Sequence, residues 1–505
     1  MNASPDRPNI LFLFTDQQRW DTIGALNAPW MHTPHLDTLV KDGVSFTQAY
    51  VPASTCVPVR AAVFTGQYAH NTGCYTFDPW AHHRNVVHEL RDSGYYCANM
   101  GKMHFIPVHD PGGFHDRVIV ENPTNTMAEN RQPDDDWGKY LSFHGETRPN
   151  HRQKTDPDWG KKYQGVPWHL DEKLHSDVFT GDSAVSWIKN YAPGREPFFL
   201  EVGLPGPHEP WDPPERLLKH YADDVGPLPP SLKEDLSKKP PQHMAQQNFM
   251  ANAPGEARIQ MPDATEADVV RMRQHYFANI SLVDEQVGKI LNALEEKGLR
   301  ENTLIIFSSD HGDMLGEHGM AYKWLLYDPI VHVPLLVVDP RHPERAGTRV
   351  DDLVSLIDLP PTFLDYAGVP VPTRMEGQSL RKAIAGAPYP ARKTVYAENN
   401  YMLMVRSEDR KLVYYIGQES GEFYNLENDP WEMENLWEAP EYREEIMQWK
   451  LHLLEWLASS NYHQQGARCN LEDEKGHYAL RWPRPEEKDF EIHGDNKKPP
   501  LRTFH

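Results

Sequence analysis

The run Asn9 to Thr15 reads NILFLFT, apolar at almost every position rather than at alternate ones, and it stops at Asp16. A strand with one wet face alternates apolar and polar residues, whereas a short unbroken apolar run suits a strand covered on both faces, as in a parallel sheet between helices. Pro197 to Leu204, Thr303 to Asp310 and Val333 to Asp339 share that texture, and helical or loop-like segments separate them. The expected fold class is therefore α/β. Asp16 and Asp310 each close such a run. Ligands of open α/β sheets collect beyond the carboxyl ends of the strands, so these two carboxylates are candidates to meet there.

Thr33-Pro34 has the cap and first-turn residues of a helix that closes near Gly43, and a strand over Val44 to Val51 follows. The clearest helix spans Glu266 to Lys297, where Val269, Met272, Tyr276, Ile280, Val283, Val287, Ile290 and Leu294 step along one face. Thr265 with Asp268 reads as its capping box and Gly298 as its stop, and the whole helix reads as core packing. Residues 222–262, rich in Pro, Gln and Lys, read as a long surface excursion. After Tyr396 the texture becomes short and alternating, over Met402 to Arg406, Lys411 to Ile416 and Glu422 to Leu426, which is a small antiparallel subdomain. From Tyr462 to His505 the chain is polar and broken by Pro, like an arm wrapping a neighbour. The expected division is 1–390 for a catalytic α/β domain, 391–461 for the antiparallel subdomain and 462–505 for an arm at a homo-oligomer interface.

Lys and Arg number 51 against 73 Asp and Glu, a net charge of −22, which argues against nucleic acid or an anionic membrane as partner. An anionic substrate would need a local positive pocket. The apolar run Ile10 to Phe14 is too brief for a signal-peptide core or a membrane span, so a cytoplasmic location is expected. Cys56, Cys74, Cys97 and Cys469 form no C-x-x-C pair, which removes a disulfide framework and a zinc ribbon from consideration.

Cys56-Val57-Pro58-Val59-Arg60 followed by Ala61-Ala62-Val63-Phe64-Thr65-Gly66 resembles the formylglycine signature of the sulfatase family. Gly94 to His104 (GYYCANMGKMH) is similar to the second sulfatase signature, Pro207-His208-Glu209-Pro210 to the central histidine motif, and Ser309-Asp310-His311-Gly312-Asp313 with Lys323 to the distal block. Glu422 to Pro430 and Glu434-Asn435-Leu436 resemble the closing subdomain. The likeness runs from Pro8 to Leu436 in matching order, a specificity no single short motif has.

The resemblance implies an alkaline-phosphatase-like mixed sheet sandwiched by helices, with a smaller C-terminal α+β subdomain. It implies that a formylglycine-generating enzyme oxidises Cys56, and that the hydrated aldehyde attacks a small-molecule sulfate ester beside one divalent metal. Carried over position by position, Asp16, Gln17, Asp310 and His311 are metal ligands and Cys56, the nucleophile precursor, faces the ion. Arg60 steadies the diol, Lys102 and Lys323 neutralise substrate oxygens, His208 protonates the leaving oxygen and His104 serves the diol as hydrogen-bond partner or base. Asn71 corresponds to a substrate-contacting asparagine of some members. Oxygen ligands suit Ca²⁺, Mg²⁺ or Mn²⁺, and the imidazole tilts the choice from Mg²⁺ toward Mn²⁺.

Two positions depart from the family pattern. Gln17 stands where many sulfatases carry a second aspartate, a feature typical of the phosphonate monoester hydrolase and phosphodiesterase branch, and Val59 replaces the usual small residue. Intact Lys102 and His104 favour a sulfate monoester, with phosphonate monoester or phosphate diester hydrolysis as the alternative. A catalytically silent anion-binding relative is the third reading, against which Cys56, Asp16, Asp310 and the two lysines stand. Cys74, Cys97, His82, His83 and His318 read as structural. The Trp- and His-rich stretch Pro79 to Arg84 reads as a lining for a sugar or aromatic group.

Overall fold

The computed structural model describes residues 7–121, 135–149, 156–192, 194–195, 197–253 and 258–468. Eight strands form the main sheet: β1 Asn9–Thr15, β2 Val44–Tyr50, β3 Tyr96–Gly101, β4 Asp116–Ile119, β5 Phe198–Leu204, β6 Thr303–Ser309, β7 His332–Val338 and β8 Thr348–Ser355. Their order is β4-β3-β5-β1-β6-β7-β2-β8. β7 alone among them runs against its neighbours, β6 and β2. The unbroken apolar texture of β1 has the expected cause: Ile10, Phe12 and Phe14 enter the core on one face of the sheet, Leu11 and Leu13 the core on the other.

The first face carries the helices Cys56–Thr65, Val86–Asp92 and Leu359–Ala367. The opposite face carries Pro34–Asp42, Ser176–Asn190 and the long helix Glu266–Glu296. The long helix begins in the expected capping box, with Asp268 N–H donating to Thr265 Oγ1 at 3.2 Å and Thr265 N–H to Asp268 Oδ2 at 2.9 Å. Thr33 does not cap the helix it precedes. Asp284 of the long helix caps it instead, its Oδ1 accepting from His35 N–H at 3.0 Å and Leu36 N–H at 2.7 Å.

The second sheet is antiparallel, β9 Val395–Asn399, β10 Met402–Arg406, β11 Arg410–Tyr415 and β12 Gly421–Asn425, in the order β12-β11-β10-β9. One face of it, with Ala397, Met404, Val413, Tyr415 and Tyr424, continues the core of the main sheet. The other face packs Val405, Leu412 and Phe423 against the helix Arg443–Arg468 through Ile446 and Leu453. Residues 462–468, expected in a polar arm, continue that helix, and the remainder of the arm, 469–505, lies outside the described residues.

The excursion 222–262 is less of a surface feature than its composition suggests. It contains the helix Pro241–Asn252 and is pinned to the second sheet, with Lys239 Nζ donating to Tyr424 Oη at 3.0 Å and His243 Nε2 3.4 Å from Glu422 Oε2. Lys239 and His243 are both buried, so buried ionic and hydrogen-bonding partners offset the polar composition. Among the described residues, no helix is long and apolar enough to cross a membrane.

Candidate active site

Neighbouring strands β1 and β6 pair Thr15 with Ser309, so the next residues, Asp16 and Asp310, leave the sheet side by side. Asp310 N–H donates to Thr15 O at 3.1 Å, and Gln17, at φ +71°, turns its own N–H onto Asp310 Oδ1 at 3.0 Å. His311 follows, its Nε2 3.5 Å from Asp16 Oδ1 and 3.6 Å from Asp310 Oδ1. One ligand atom from each of these three buried residues lies within 4.8 Å of the others. His311 Nδ1 sits 2.8 Å from Gly312 O; a carbonyl only accepts, so the proton is on Nδ1 and the Nε2 lone pair faces the carboxylates.

Cys56 opens the helix Cys56–Thr65, and Arg60, one turn later, shares its face. Arg60 Nε donates to Asp310 Oδ2 at 2.9 Å and its Nη1 to Lys102 O at 2.8 Å. Lys102 follows β3, where the backbone crosses β5 too closely for side chains: a Cβ on Gly203 would lie 2.0 Å from Lys102 O. Lys102 Nζ pairs with Asp16 Oδ2. Lys323 Nζ donates to Gln17 Oε1 at 2.9 Å and lies 3.2 Å from His311 Nε2 and 4.0 Å from Cys56 Sγ. His104, at φ +57°, is anchored by its backbone, with its N–H on Glu121 Oε1 at 3.2 Å and its carbonyl accepting Trp80 Nε1 at 3.1 Å. His208 Nδ1 donates to Glu209 O at 2.8 Å.

Three cations, Arg60, Lys102 and Lys323, thus face two carboxylates, Asp16 and Asp310, in the interior of a strongly acidic protein. The local concentration of positive charge that an anionic substrate requires is present. Burial alone would raise the Asp16 carboxyl, but the positive charges of Lys102 and Lys323 outweigh it and hold Asp16 well below the usual carboxylate range. Burial would likewise raise the Cys56 thiol, yet the charges of Lys323 and Lys102 bring it down. Burial, then Lys102, pushes His104 down to about 3, and burial with Lys323 pushes His208 well below its ordinary value. Both imidazoles are neutral in this arrangement.

Ten of the eleven residues singled out in the sequence therefore converge. Asn71 does not join them: its Nδ2 donates to Glu376 Oε1 at 2.9 Å and Ser460 Oγ at 2.8 Å, where the main sheet's loops meet the C-terminal helix. Gln17 borders the group of possible ligands with its Oε1 turned to Lys323. Its Nε2 donates to Glu209 Oε2 at 2.8 Å and Asp313 Oδ2 at 2.7 Å. Glu209 and Asp313, inside motifs already quoted, were given no role of their own. Burial and then Glu209 raise Asp313 to about 7, so the Gln17 amide joins two carboxyls that disfavour simultaneous ionisation. Asp177 gave no signal in the sequence; its Oδ1 accepts Gly206 N–H at 2.8 Å and ties down the turn that carries His208. Trp80, expected to line a binding surface, is wholly buried beneath His104.

A mixed eight-stranded sheet with a cation-rich carboxylate and histidine cluster beyond its strand ends defines a hydrolase of the alkaline phosphatase superfamily. The family model Sulfatase matches residues 8–369, and the model for the C-terminal part of N-sulphoglucosamine sulphohydrolase matches residues 316–458. The chain belongs to the sulfatase family and is a sulfuric ester hydrolase. It is 28% identical to an arylsulfatase of Clostridium perfringens over 87% of this chain and 92% of that protein. It is 29% identical to a choline-sulfatase of Rhizobium meliloti over 86% of this chain and 83% of that protein. The phosphonate monoester hydrolase of Agrobacterium radiobacter superposes with a TM-score of 0.75 at 25% identity, covering 90% of this chain and 96% of that one.

Proposed function

We propose that this enzyme hydrolyses a sulfate monoester to an alcohol and sulfate through a formylglycine made from Cys56. The observation that carries the reading is the position of Cys56 at the head of its helix, Sγ 4.0 Å from Lys323 Nζ and next to the Asp16, Asp310 and His311 group. Asp16 Oδ1 is buried and makes no hydrogen bond among the described residues, which fits an atom reserved for a cation. Two carboxylates and an imidazole are a donor set for Mn²⁺ or Ca²⁺ ahead of Mg²⁺, with Gln17 as the proposed fourth ligand and Cys56 facing the ion. When bound, the ion and the hydrated aldehyde supply an activated hydroxyl and charge neutralisation at the sulfate.

The chain's own residues do the rest. Lys102 and Lys323 hold the sulfate oxygens and take up the charge that builds on them as the bond to the leaving group breaks. Arg60, locked between Asp310 and Lys102 O, keeps residue 56 oriented. The neutral His208 carries its proton on Nδ1, so it acts as general acid only after binding a second proton on Nε2; the incoming anionic ester offsets Lys323 and favours that proton. His104, pinned by Glu121 and Trp80, presents its ring as hydrogen-bond partner or base to residue 56. In this reading residues 1–390 form the catalytic domain and 391–461 a subdomain that closes its core.

Phosphonate monoester or phosphate diester hydrolysis is the second reading, favoured by the neutral Gln17 amide. Both substrate types place a monoanionic tetrahedral group among the same cations. One experiment tests both. Protein coexpressed with a formylglycine-generating enzyme is checked by mass spectrometry of the Cys56 peptide, loaded with metal and assayed for kcat/KM on an aryl sulfate and an aryl phosphonate monoester, with Cys56→Ala as control. Conversion of Cys56 and a Cys56-dependent preference for sulfate are expected. An unconverted thiol that still supports full turnover would remove the proposed nucleophile, and a preference for phosphonate would select the second reading.

A further inference from the structure

The alcohol portion of the ester has to remain outside the cation cluster, and the exposures show where. Asp16, Gln17, Arg60, Lys102, Asp310 and His311 are wholly buried, while Cys56, His104, His208 and Lys323 keep 3 to 9% of their surface open. A sulfate group held by the cluster would have to enter past those four side chains, which would leave its alcohol portion at their rim.

Phe77 stands beside that rim. Phe77 is 55% exposed, and its ring centroid is 5.7 Å from that of His104 at an interplanar angle of 56°. The turn that carries it is braced: Asp78 Oδ2 accepts the N–H groups of Tyr75 and Thr76, both at 3.0 Å. Trp80 anchors the far side of the turn, its indole bonded to His104 O and its ring 4.5 Å from that of Phe105. A half-exposed phenyl group held by such a frame beside a site residue is a ready surface for another flat apolar face, because stacked rings gain contact area and an oriented quadrupole together.

We infer that Phe77 is the platform on which a flat face of the leaving group stacks, so that this one side chain sets how strongly the enzyme prefers ring-bearing over open-chain sulfate esters. The inference rests on the proposal that the cluster around Cys56 holds the sulfate group. Phe77 takes the place of Trp80 in the expected lining, since Trp80 faces inward and Phe77 faces out. Phe77 is a specificity residue that touches the alcohol portion and takes no part in bond breaking.

The test compares the ratio of kcat/KM for phenyl sulfate, and for a hexose sulfate, to that for ethyl sulfate in the matured, metal-loaded enzyme and its Phe77→Leu and Phe77→Tyr variants. Intrinsic reactivity cancels when ratios are compared between variants. Leucine keeps an apolar side chain but loses the ring; the ring-to-chain ratio should fall about tenfold, and tyrosine should retain it. A fall for phenyl sulfate, hexose sulfate or both supports the platform and names the source of the flat face. An unchanged ratio in Phe77→Leu, or a fall in Phe77→Tyr as large as in Phe77→Leu, overturns it.

The same ratio is read as Kd values in the Cys56→Ala background, where no turnover is possible. Phe77→Leu there should weaken phenyl sulfate relative to ethyl sulfate by the same factor, and equal weakening of both overturns the platform. Failure of the underlying proposal reads differently: the matured parent enzyme turns over none of the three sulfate esters, although the Kd ratio still reports on Phe77.

Discussion

Arg60 and Asp310, 250 residues apart in sequence, meet in the interior with Nε donating to Oδ2 at 2.9 Å, and neither side chain has any exposure. The pair clamps the signature helix to the end of β6. Opposite charge from Asp310 and Asp16 overcomes the burial that disfavours the guanidinium, and Arg60 is held above its ordinary value. Removing one partner of such a pair strands the other charge in a low dielectric, which costs more than the pair itself contributes. Arg60→Met, similar in volume, should therefore lower unfolding free energy by about 3 to 5 kcal/mol in urea titrations followed by tryptophan fluorescence. A change under about 1 kcal/mol would mean that Lys102 and Lys323 already compensate Asp310.

His208 as general acid predicts a leaving-group dependence. A nitrophenolate leaves without help, whereas an alkoxide needs its proton in the transition state. His208→Ala should reduce kcat/KM by about 10²- to 10⁴-fold for poor leaving groups and far less for 4-nitrophenyl sulfate, steepening the plot of log rate against leaving-group pKa. Parallel lines for variant and parent would assign His208 to sulfate binding instead.

Metal dependence has a readout apart from activity. Ion binding to the folded state alone stabilises it by RT ln(1 + [L]/Kd), about 2.7 kcal/mol at a hundredfold excess over Kd. Treatment with a chelator should lower Tm, and titration with Mn²⁺ or Ca²⁺ should restore it. Asp310→Ala should abolish the metal-dependent rise. A rise that persists in that variant would locate the ion away from Asp16 and His311.

Glu201, in the middle of β5, predicts a pH effect away from the reacting groups. Burial raises its carboxyl to about 8, although Arg60 and the amide of Asn99 oppose that rise. The folded state therefore keeps a proton on Glu201 that the unfolded state has already released above its reference value of 4.5. The stability this group supplies is full below that value, falls as pH rises toward 8 and is gone above it. Glu201→Gln should flatten this part of the profile, so that parent and variant Tm values diverge between pH 5 and 8 with the parent falling. Parallel profiles over that window would show that Glu201 ionises normally.

Much of the sheet was legible locally. β1, β5, β6 and β7 are hydrophobic enough to announce themselves, because burial on both faces selects apolar residues along the whole run. β3 and β4, YCANMG and DRVI, were missed because their buried polar groups answer one another: Asn99 bonds Glu201 and accepts from Arg117 Nε at 3.0 Å. β8 was missed because it is an edge strand whose first five residues are largely exposed. The C-terminal helix hides its apolar seam, Ile446, Trp449, Leu453 and Trp456, among many charges.

The sequence by itself determined the family: which residues are present, in what order, and in motifs specific enough to indicate a sulfatase. Only the tertiary structure decided that Asn71 bonds Glu376 and Ser460 rather than the cluster, that the Gln17 amide joins Lys323 to Glu209 and Asp313, and that Phe77 rather than Trp80 faces out. The physical reason is range. Burial along a strand and capping of a helix act over a few residues and leave a local imprint. The meeting of Asp16 with Asp310 or of Gln17 with Lys323 depends on which strands become neighbours and in what register, a choice made by the packing of the whole core.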